Sequence, residues 1–329
     1  MKRGGRDLFD VVVIGAGPAG LAAATFAARR KLKTLVLEAA PTAGGKPALL
    51  YADKVVDDFI GLPDGATGLK IGQALERHAK KFGAEVKCNS RVVAVSSTKE
   101  GFFLVRDEKG EEYQSKAVII AFGVQPLTHV GVKGEDKFKG KGVRYLLEDA
   151  SEVKGKKVVV VGGGETAVES ALRASEVAAS VVLVHRRGTL RADESAVEKL
   201  TGRVEFLYNS VVEEVRGEEC VEEVVVLNCK TGEKRAIKAD EVIFCVGHTP
   251  ETDLLERLGV KLSEKGEVLV NKRQETSIPG IFAAGDVTGG VMRISAAIGE
   301  GVVAALSAYN YIKKPYWSSN LEHTSLDTS

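Results

Sequence analysis

The chain has 329 residues, of which 44% are hydrophobic and 28% charged, as expected for a folded protein of about two domains. This composition excludes a disordered, collagen-like or small disulfide-stapled protein. Because 46 Lys and Arg residues balance 45 Asp and Glu residues, no overall field attracts nucleic acid or an anionic membrane. No CxxC pair occurs among the four cysteines, which are Cys88, Cys220, Cys229 and Cys245. This spacing disfavours a zinc site and a close-spaced dithiol, and it fits a reducing compartment.

One stretch near the start, Val11–Ala28, carries no charge and has the length of a signal peptide or a membrane span. Its centre, however, contains Gly15, Gly17, Pro18 and Gly20, which favour a buried strand, a glycine turn and an alanine-rich helix. We therefore predict a cytoplasmic protein without a membrane partner.

Hydrophobic patterns in the first part of the chain predict alternating strands and helices. They are a strand over Phe9–Ile14, a helix over Pro18–Arg30, a strand over Thr34–Glu38, a helix over Thr67–Phe82 and short strands over 85–121. Thr67 can cap the second helix and Gly83 can end it. The segment Gly123–Pro126 is a predicted linker.

The same order of elements then recurs, about 145 residues further on. The repeat comprises a strand over Lys157–Val161, a turn over Gly162–Gly164, a helix over Thr166–Ala178, a strand over Val181–His185 and short strands over 204–246. The chain continues to Ile281–Asp286 and a helix from about Ser295 to Lys313. We predict an α/β fold with two Rossmann-like dinucleotide-binding domains. Residues 125–247 form one, inserted into the other, which comprises 1–124 and 248–329.

The first glycine motif, Gly15–Gly20, lies after a strand and opens a helix. In GxGxxG turns the first glycine permits the turn, the second lets the backbone approach a pyrophosphate, and the third lets helix and strand pack closely. The helix N-terminus attracts the phosphate charge. Glu38 ends the next strand, where its carboxylate can accept hydrogen bonds from ribose hydroxyls.

The second motif is Gly162-Gly163-Gly164-Glu165-Thr166-Ala167, again between a strand and a helix. The next strand ends in basic residues instead of an acid, namely His185, Arg186 and Arg187, with Arg191 close by. Basic side chains at this position suit a 2′-phosphate and predict NADP in preference to NAD. The alternative interpretation is a solvated basic turn.

A third motif, Thr276–Asp286, resembles the second FAD signature of the two-dinucleotide-domain flavoprotein reductases. Ala121-Phe122-Gly123 and Cys245-Val246-Gly247 resemble the glycine motifs at that family's domain crossovers. Length and domain order resemble the low-molecular-weight thioredoxin reductase branch, whose members are usually homodimers. That branch carries a redox CxxC before the second glycine unit, whereas Tyr145–Ala150 contains no cysteine.

The chain is more similar to the thioredoxin-reductase-like ferredoxin–NADP reductases, which lack the disulfide. Gly44–Tyr51 resembles their GGQ…LY segment, with Lys46 where Gln is usual, and Leu321–Leu326 resembles their C-terminal HSTSL extension. The resemblance implies that Tyr51 and His323 stack on opposite flavin faces. The stretch Gly123–Gly142 is closer to thioredoxin reductases, so the resemblance leaves the electron partner open.

Motifs and resemblance together predict two sets of ligands. The residues predicted to bind FAD are Gly15, Gly17, Gly20, Glu38, Gly45, Lys46, Tyr51, Val92, Gly123, Asp286, His323 and Ser325. The residues predicted to bind NADP(H) are Gly162, Gly164, Glu165, Thr166, His185, Arg186, Arg187, Arg191 and Gly247. No side chain is predicted to act as an acid or base, because the flavin would perform the chemistry.

The resemblance implies an FAD-dependent oxidoreductase that transfers electrons between NADPH and a one-electron iron–sulfur carrier such as ferredoxin. One alternative is an NADPH-dependent disulfide or thioredoxin-type reductase, for which Cys220 and Cys229 would be the candidate pair. Another is a non-enzymatic redox regulator that binds flavin or NADPH. A basic run either docks an acidic ferredoxin or is an ordinary solvated surface. It comprises Lys133, Lys137, Lys139, Lys141, Arg144, Lys154, Lys156 and Lys157.

Overall fold

A computed structural model of the protein describes residues 8–314 and divides the chain into two compact units. Unit 1 comprises Met1–Val124 and Thr249–Ser329, and unit 2 comprises Gln125–His248. The limits predicted from the sequence differ from these by one residue, His248. The predicted tail, residues 315–329 with His323 and Ser325, lies outside the described residues.

The first part of unit 1 alternates strands with helices. In chain order it contains β1 (Leu8–Ile14), α1 (Pro18–Arg29), β2 (Thr34–Leu37), α2 (Gly45–Leu50), β3 (Val55–Val56), β4 (Ala66–Thr67), α3 (Gly68–Lys81), β5 (Glu85–Lys87), β6 (Val92–Ser97), β7 (Phe103–Asp107) and β8 (Glu112–Ile120).

Unit 2 comes next, and the chain then returns to unit 1. Unit 2 contains β9 (Gln125–Pro126), α4 (Glu135–Phe138), β10 (Val143–Arg144), a 3-10 turn (Ala150–Val153), β11 (Lys157–Gly162), α5 (Glu165–Ser175), β12 (Ser180–His185), α6 (Glu194–Glu198), β13 (Glu205–Tyr208), β14 (Ser210–Arg216), β15 (Glu223–Asn228), β16 (Lys234–Lys238), β17 (Glu241–Cys245) and β18 (His248–Thr249). The return comprises α7 (Thr252–Leu258), β19 (Ile281–Ala283), a 3-10 turn (Asp286–Thr288) and α8 (Ile294–Lys313).

Both units are built on a five-stranded parallel sheet in which four strands follow the same order. The fifth strand differs, because β19 comes last in the chain among the sheet strands of unit 1 and β10 comes first among those of unit 2. In unit 1 the parallel strands lie in the order β5-β2-β1-β8-β19, and β6 and β7 join β8 as an antiparallel meander. In unit 2 the order is β13-β12-β11-β17-β10, beside a separate antiparallel sheet of β14, β15 and β16. The repeat predicted from the sequence is therefore a repeat of topology, and it confirms the predicted doubly Rossmann-like α/β fold.

Continuous apolar runs explain the central strands. Val11, Val12 and Val13 are all fully buried, as expected for a parallel strand covered on both faces. On one face, the alanine-rich helix α1 packs closely against α8, where a side chain on Gly301 would lie 2.1 Å from the Ala19 carbonyl oxygen. This close packing brings the start of α8 up to the first glycine turn.

Most predicted boundaries agree with the structure to within a few residues. Thr67 caps α3 by accepting a hydrogen bond from the Lys70 amide at 3.4 Å, and Gly83 lies just beyond the helix with a φ of +95°. The hydrophobic pattern does not predict the short helices α2, α4, α6 and α7 or the β3–β4 hairpin. Four to seven residues give too few hydrophobic repeats for a periodicity argument, and α2 is visible in the sequence only as a motif.

Candidate flavin and nicotinamide nucleotide sites

The glycines of the first turn are required by close backbone approaches within unit 1. Gly15 has a φ of +102°, and a Cβ atom there would lie 2.6 Å from the Ala121 carbonyl oxygen. A Cβ atom on Gly20 would lie 1.9 Å from the Gly15 carbonyl oxygen. These contacts hold β1, the start of α1 and the end of β8 together, as the first and third positions of the motif require.

The second glycine of this turn faces space instead of protein. The nearest atom to a Cβ built on Gly17 is the Cα of Gly45, at 3.9 Å. The φ of Gly17 is −75°, which other residues also adopt, so its backbone does not demand glycine. Helix α1 begins at Pro18 without a side-chain cap, leaving its N-terminal amides facing this space. The turn therefore fits a bound pyrophosphate.

Glu38 is tied to the same turn by its carboxylate. One oxygen accepts a hydrogen bond from the Ala16 amide at 2.6 Å, and the other accepts one from the Ala40 amide at 2.8 Å. The side chain is half-buried. Each carboxylate oxygen has further acceptor capacity, so Glu38 can still receive ribose hydroxyls.

Two more segments of unit 1 converge on this turn from either side. Gly45, at the start of α2, lies against Gly17, and Gly285, after β19, lies against Ala19. The next residue of each segment carries a charge, and the Lys46 Nζ lies 2.9 Å from an Asp286 carboxylate oxygen. The predicted FAD residues Lys46 and Asp286 are therefore brought together as an ion pair.

Glu300 on α8 holds the segment that carries Asp286. Its carboxylate accepts hydrogen bonds from the Gly285 amide at 2.7 Å and from the Thr288 hydroxyl at 3.3 Å. Burial is the main cause that raises the pKa of Glu300, and the nearby Asp286 charge acts in the same direction. The sequence analysis missed Glu300, because a single acid within a helix gives no signal before the packing of α8 is known.

The remaining predicted FAD residues are less closely grouped. Tyr51 comes directly after α2, and the Lys54 ammonium lies 5.4 Å from the centre of its ring. The Val92 side chain is buried in the hydrophobic core of unit 1, which leaves its backbone as the part that could contact a nucleotide. Gly123 lies beyond β8 with a φ of +74° and open space around a built Cβ. These three assignments, like those of His323 and Ser325, stay predictions.

The second glycine turn repeats this architecture in unit 2. A Cβ atom on Gly162 would lie 2.3 Å from the Cys245 carbonyl oxygen. This close approach matches that of Gly15 to the Ala121 carbonyl oxygen in unit 1. Gly164, like Gly17, has open space at a built Cβ, with no protein atom within 4 Å, and its φ is −100°. Helix α5 then begins without a side-chain cap. This turn also fits a pyrophosphate.

The basic residues after β12 fall into two groups. Arg186, Arg187 and Arg191 are exposed, whereas His185 is buried. The His185 ring lies so close to Gly163 that a Cβ atom there would be 2.2 Å from it. Burial, and to a smaller extent the neighbouring arginine charges, lowers the pKa of His185. The His185 ring thus packs beneath the glycine turn, and binding of NADP(H) by His185 stays a prediction.

The loop that carries the arginines is anchored to the glycine turn. The Arg191 amide donates to the Gly163 carbonyl at 2.7 Å, and the Asp193 amide donates to the Glu165 carboxylate at 3.1 Å. The His185 imidazole hydrogen-bonds the Thr189 backbone. Glu165 is thus occupied with this loop. Thr166 is the next residue on α5, and Gly247 lies after β17.

No pair of cysteines in unit 2 is arranged as a dithiol. Cys220 lies in the turn from β14 to β15, and the Cys229 amide donates to Asn209 at the opposite end of that hairpin. The strand between them spans about 17 Å, whereas a disulfide needs Cα atoms within about 7 Å. Burial raises the pKa of Cys245 to about 11, which keeps that thiol protonated.

The positions that would carry the family's CxxC have another role. Leu146 and Asp149 stand at these two positions: Leu146 is half-buried, and Asp149 caps the adjacent 3-10 turn. Tyr145 donates its hydroxyl to the fully buried Glu135 carboxylate at 2.6 Å. All four cysteines of the chain are free thiols.

Three of the eight residues in the basic run pair with acids of unit 2. Lys133 pairs with Glu214 at 2.7 Å, and Arg144 and Lys156 both pair with Glu241, at 2.8 and 2.7 Å. This pairing favours the interpretation as an ordinary surface over a docking patch.

Comparison with known proteins agrees with this geometry. Residues 9–301 match the model of the pyridine nucleotide-disulphide oxidoreductase family. A ferredoxin–NADP reductase of Sulfurisphaera tokodaii is 33% identical over 92% of this chain and 93% of its own. A thioredoxin reductase of Peptoclostridium litorale is 36% identical over 94% and 98%. The crystal structure of Lactococcus lactis thioredoxin reductase matches with a TM-score of 0.85, at 30% identity, over 93% of this chain and 100% of that one.

The chain therefore belongs to the pyridine nucleotide-disulphide oxidoreductase family. Within that family it is similar both to ferredoxin–NADP reductases and to thioredoxin reductases, and it is an oxidoreductase. Across residues 8–314, no helix is both long and apolar enough to cross a membrane. The described part of the chain also contains no cluster of His, Cys, Asp and Glu that could hold a metal ion.

Proposed function

We propose that this chain is an NADPH-dependent flavoprotein whose electron acceptor is a one-electron iron–sulfur protein such as ferredoxin. FAD and NADP(H) are the cofactors of its family and of this chain. When bound, FAD supplies the chemistry that links a two-electron hydride donor to one-electron acceptors. The residues of the chain bind and orient the two cofactors.

For FAD, the proposal rests on the turn Gly15–Gly20 and the groups around it. The Gly17 position and the N-terminal amides of α1 would hold the pyrophosphate, and Glu38 would hold the adenosine ribose. Asp286, presented by the Glu300 contacts and paired with Lys46, would hold the ribityl chain.

For NADP(H), the proposal rests on the second turn and its arginines. Gly164 and the N-terminal amides of α5 would hold the pyrophosphate. Arg186, Arg187 and Arg191 are exposed around this turn, where guanidinium groups can hold a 2′-phosphate by charge-assisted hydrogen bonds.

The observation that carries the choice of acceptor is the lack of a usable dithiol. Thiol–disulfide exchange needs a thiolate next to its partner sulfur. Leu146 and Asp149 occupy the expected positions, and Cys220 and Cys229 lie at opposite ends of a hairpin. This supports an iron–sulfur acceptor over direct reduction of thioredoxin. Sequence identity does not decide between them, because it is 33% to a ferredoxin–NADP reductase and 36% to a thioredoxin reductase.

The test compares two acceptors with the purified holoprotein and NADPH. We expect turnover of ferredoxin, and no turnover of thioredoxin at substoichiometric enzyme. Robust thioredoxin reduction without ferredoxin reduction would instead establish the disulfide reductase. If NADPH does not reduce the bound flavin at all, the chain is a nucleotide-binding redox regulator.

We also propose a homodimer in the cytoplasm. Unit 1 exposes apolar side chains at Val55, Ile60 and Val291, with exposures of 55%, 85% and 68%. The Asp58–Arg293 ion pair, at 3.7 Å, holds the segment that carries Ile60 beside the segment that carries Val291. Exposed apolar patches mark interaction surfaces, and free thiols fit a reducing compartment. Light scattering of the purified protein would give a monomer mass if the dimer proposal is wrong.

A further inference from the structure

The ion pair between Lys46 and Asp286 lies beside the first glycine turn, and both of its side chains are partly buried. Lys46 lies in the first turn of α2 and Asp286 begins the 3-10 turn after β19, so residues 240 positions apart meet here. The side chains are 30% and 19% exposed, which leaves the pair partly shielded from water. Charges in such a position act on a neighbouring ligand more strongly than charges on an open surface.

Lys46 offsets the charge of one acid, in a place where a second acid lies nearby. Asp286 is its direct partner, and Glu300 lies behind Asp286, bonded to the preceding amide of Gly285. Replacing Lys46 by Gln, the residue usual in the similar reductases, would leave the Asp286 carboxylate without its counter-charge. The pair as it stands is neutral, so the charge balance of the site depends on Lys46.

We propose that Lys46 sets the reduction potential of the bound flavin by neutralising Asp286. This inference rests on the proposed function, namely that FAD occupies the turn beside Asp286. Reduction adds electrons to the flavin, and a nearby negative charge disfavours that addition. The reduction potential of FAD should therefore be higher beside the neutral Lys46–Asp286 pair than beside an Asp286 carboxylate without a counter-charge.

The experiment measures the midpoint potential of FAD in the holoprotein by spectroelectrochemistry. In K46Q the affinity for reduced FAD should fall about tenfold more than that for oxidised FAD, which is a potential about 30 mV lower for a two-electron couple. K46R keeps the charge and should retain the wild-type potential. K80Q is the matched control, because Lys80 pairs with Glu76 at 2.6 Å on the exposed side of α3.

Opposite changes of charge give a second readout that a merely structural role would not produce. D286N should raise the potential, and the K46Q/D286N double variant, in which the pair is again neutral, should return towards the wild type. If D286N loses FAD, the comparison of K46Q, K46R and K80Q decides alone.

Two failures are distinguishable. If K46Q binds FAD fully and has the wild-type potential, the inference about Lys46 is overturned while the proposed function stands. If the wild-type chain binds no FAD, the proposed function itself is wrong.

Discussion

The two glycine turns share a frame but differ in the residues at the end of the second strand of each unit. In unit 1, Glu38 reaches back to the Ala16 amide at 2.6 Å and takes part in the turn directly. In unit 2, His185 stands at the equivalent place, but its ring is buried against Gly163. The charged groups of unit 2 lie one and two residues further on, at the exposed Arg186 and Arg187.

This difference shows how one fold can serve two nucleotides. An acid that closes onto the turn can accept ribose hydroxyls, whereas an outward-facing pair of arginines can bind an added phosphate. The frame is set by backbone contacts that exclude side chains at Gly15 and Gly162. Nucleotide choice is left to the few residues after β2 and β12.

The largest effects should come from filling the space at the second glycine of each turn. G17V should abolish FAD binding, and G164V should abolish NADP(H) binding while FAD stays bound. Both positions have a negative φ, so valine would take up ligand space without straining the turn. Flavin absorbance per protein and calorimetric NADP⁺ titration measure the two outcomes.

Circular dichroism would show whether either chain is unfolded. Retained FAD in G17V would contradict the assignment of the first turn.

A smaller effect is expected from the arginines that distinguish unit 2. Charge-assisted hydrogen bonds contribute about 1.5–3 kcal/mol each, so R186A/R187A should raise the KM for NADPH about 100-fold and leave that for NADH nearly unchanged. R235A is a suitable control, because Arg235 on β16 of the same unit pairs with Glu205. Equal efficiency of the wild type with both nucleotides would show that the arginines do not select NADP.

A still smaller, pH-dependent effect on stability is expected from the buried His185. The folded-state pKa of His185 is lowered, so the unfolded chain binds this proton at a higher pH than the folded chain. Its contribution to stability is therefore present above about pH 6.5 and is lost as the pH falls through the folded-state pKa. Thermal unfolding should lose this acid sensitivity in H185Q but keep it in H78Q, since His78 is exposed.

The smallest effect is expected from the exposed cysteines. C220S/C229S should leave NADPH-driven ferredoxin reduction unchanged, because the two thiols lie at opposite ends of a hairpin. A loss of activity in the double variant, measured beside C88S as a control, would mean that these thiols carry electrons.

The sequence was informative where local chemistry determines the structure. Glycine spacing, apolar runs and the acid after β2 predicted both turns and the order of elements around them. It was less informative where contacts form between distant segments: the Lys46–Asp286 pair, the Glu300 contacts and the ion pairs of the basic run depend on packing. His185 illustrates the limit, since a motif predicts its place beside the turn but not that its ring is buried.

The most direct test of the account is an anaerobic titration of the holoprotein with NADPH, monitored by flavin absorbance. A chain whose only redox centre is its flavin takes up two electrons, so one equivalent of NADPH per FAD should complete the reduction. A requirement for a second equivalent, with two thiols newly exposed to a thiol reagent, would reveal a redox disulfide. That result would contradict the proposal that electrons leave this protein without passing through cysteine.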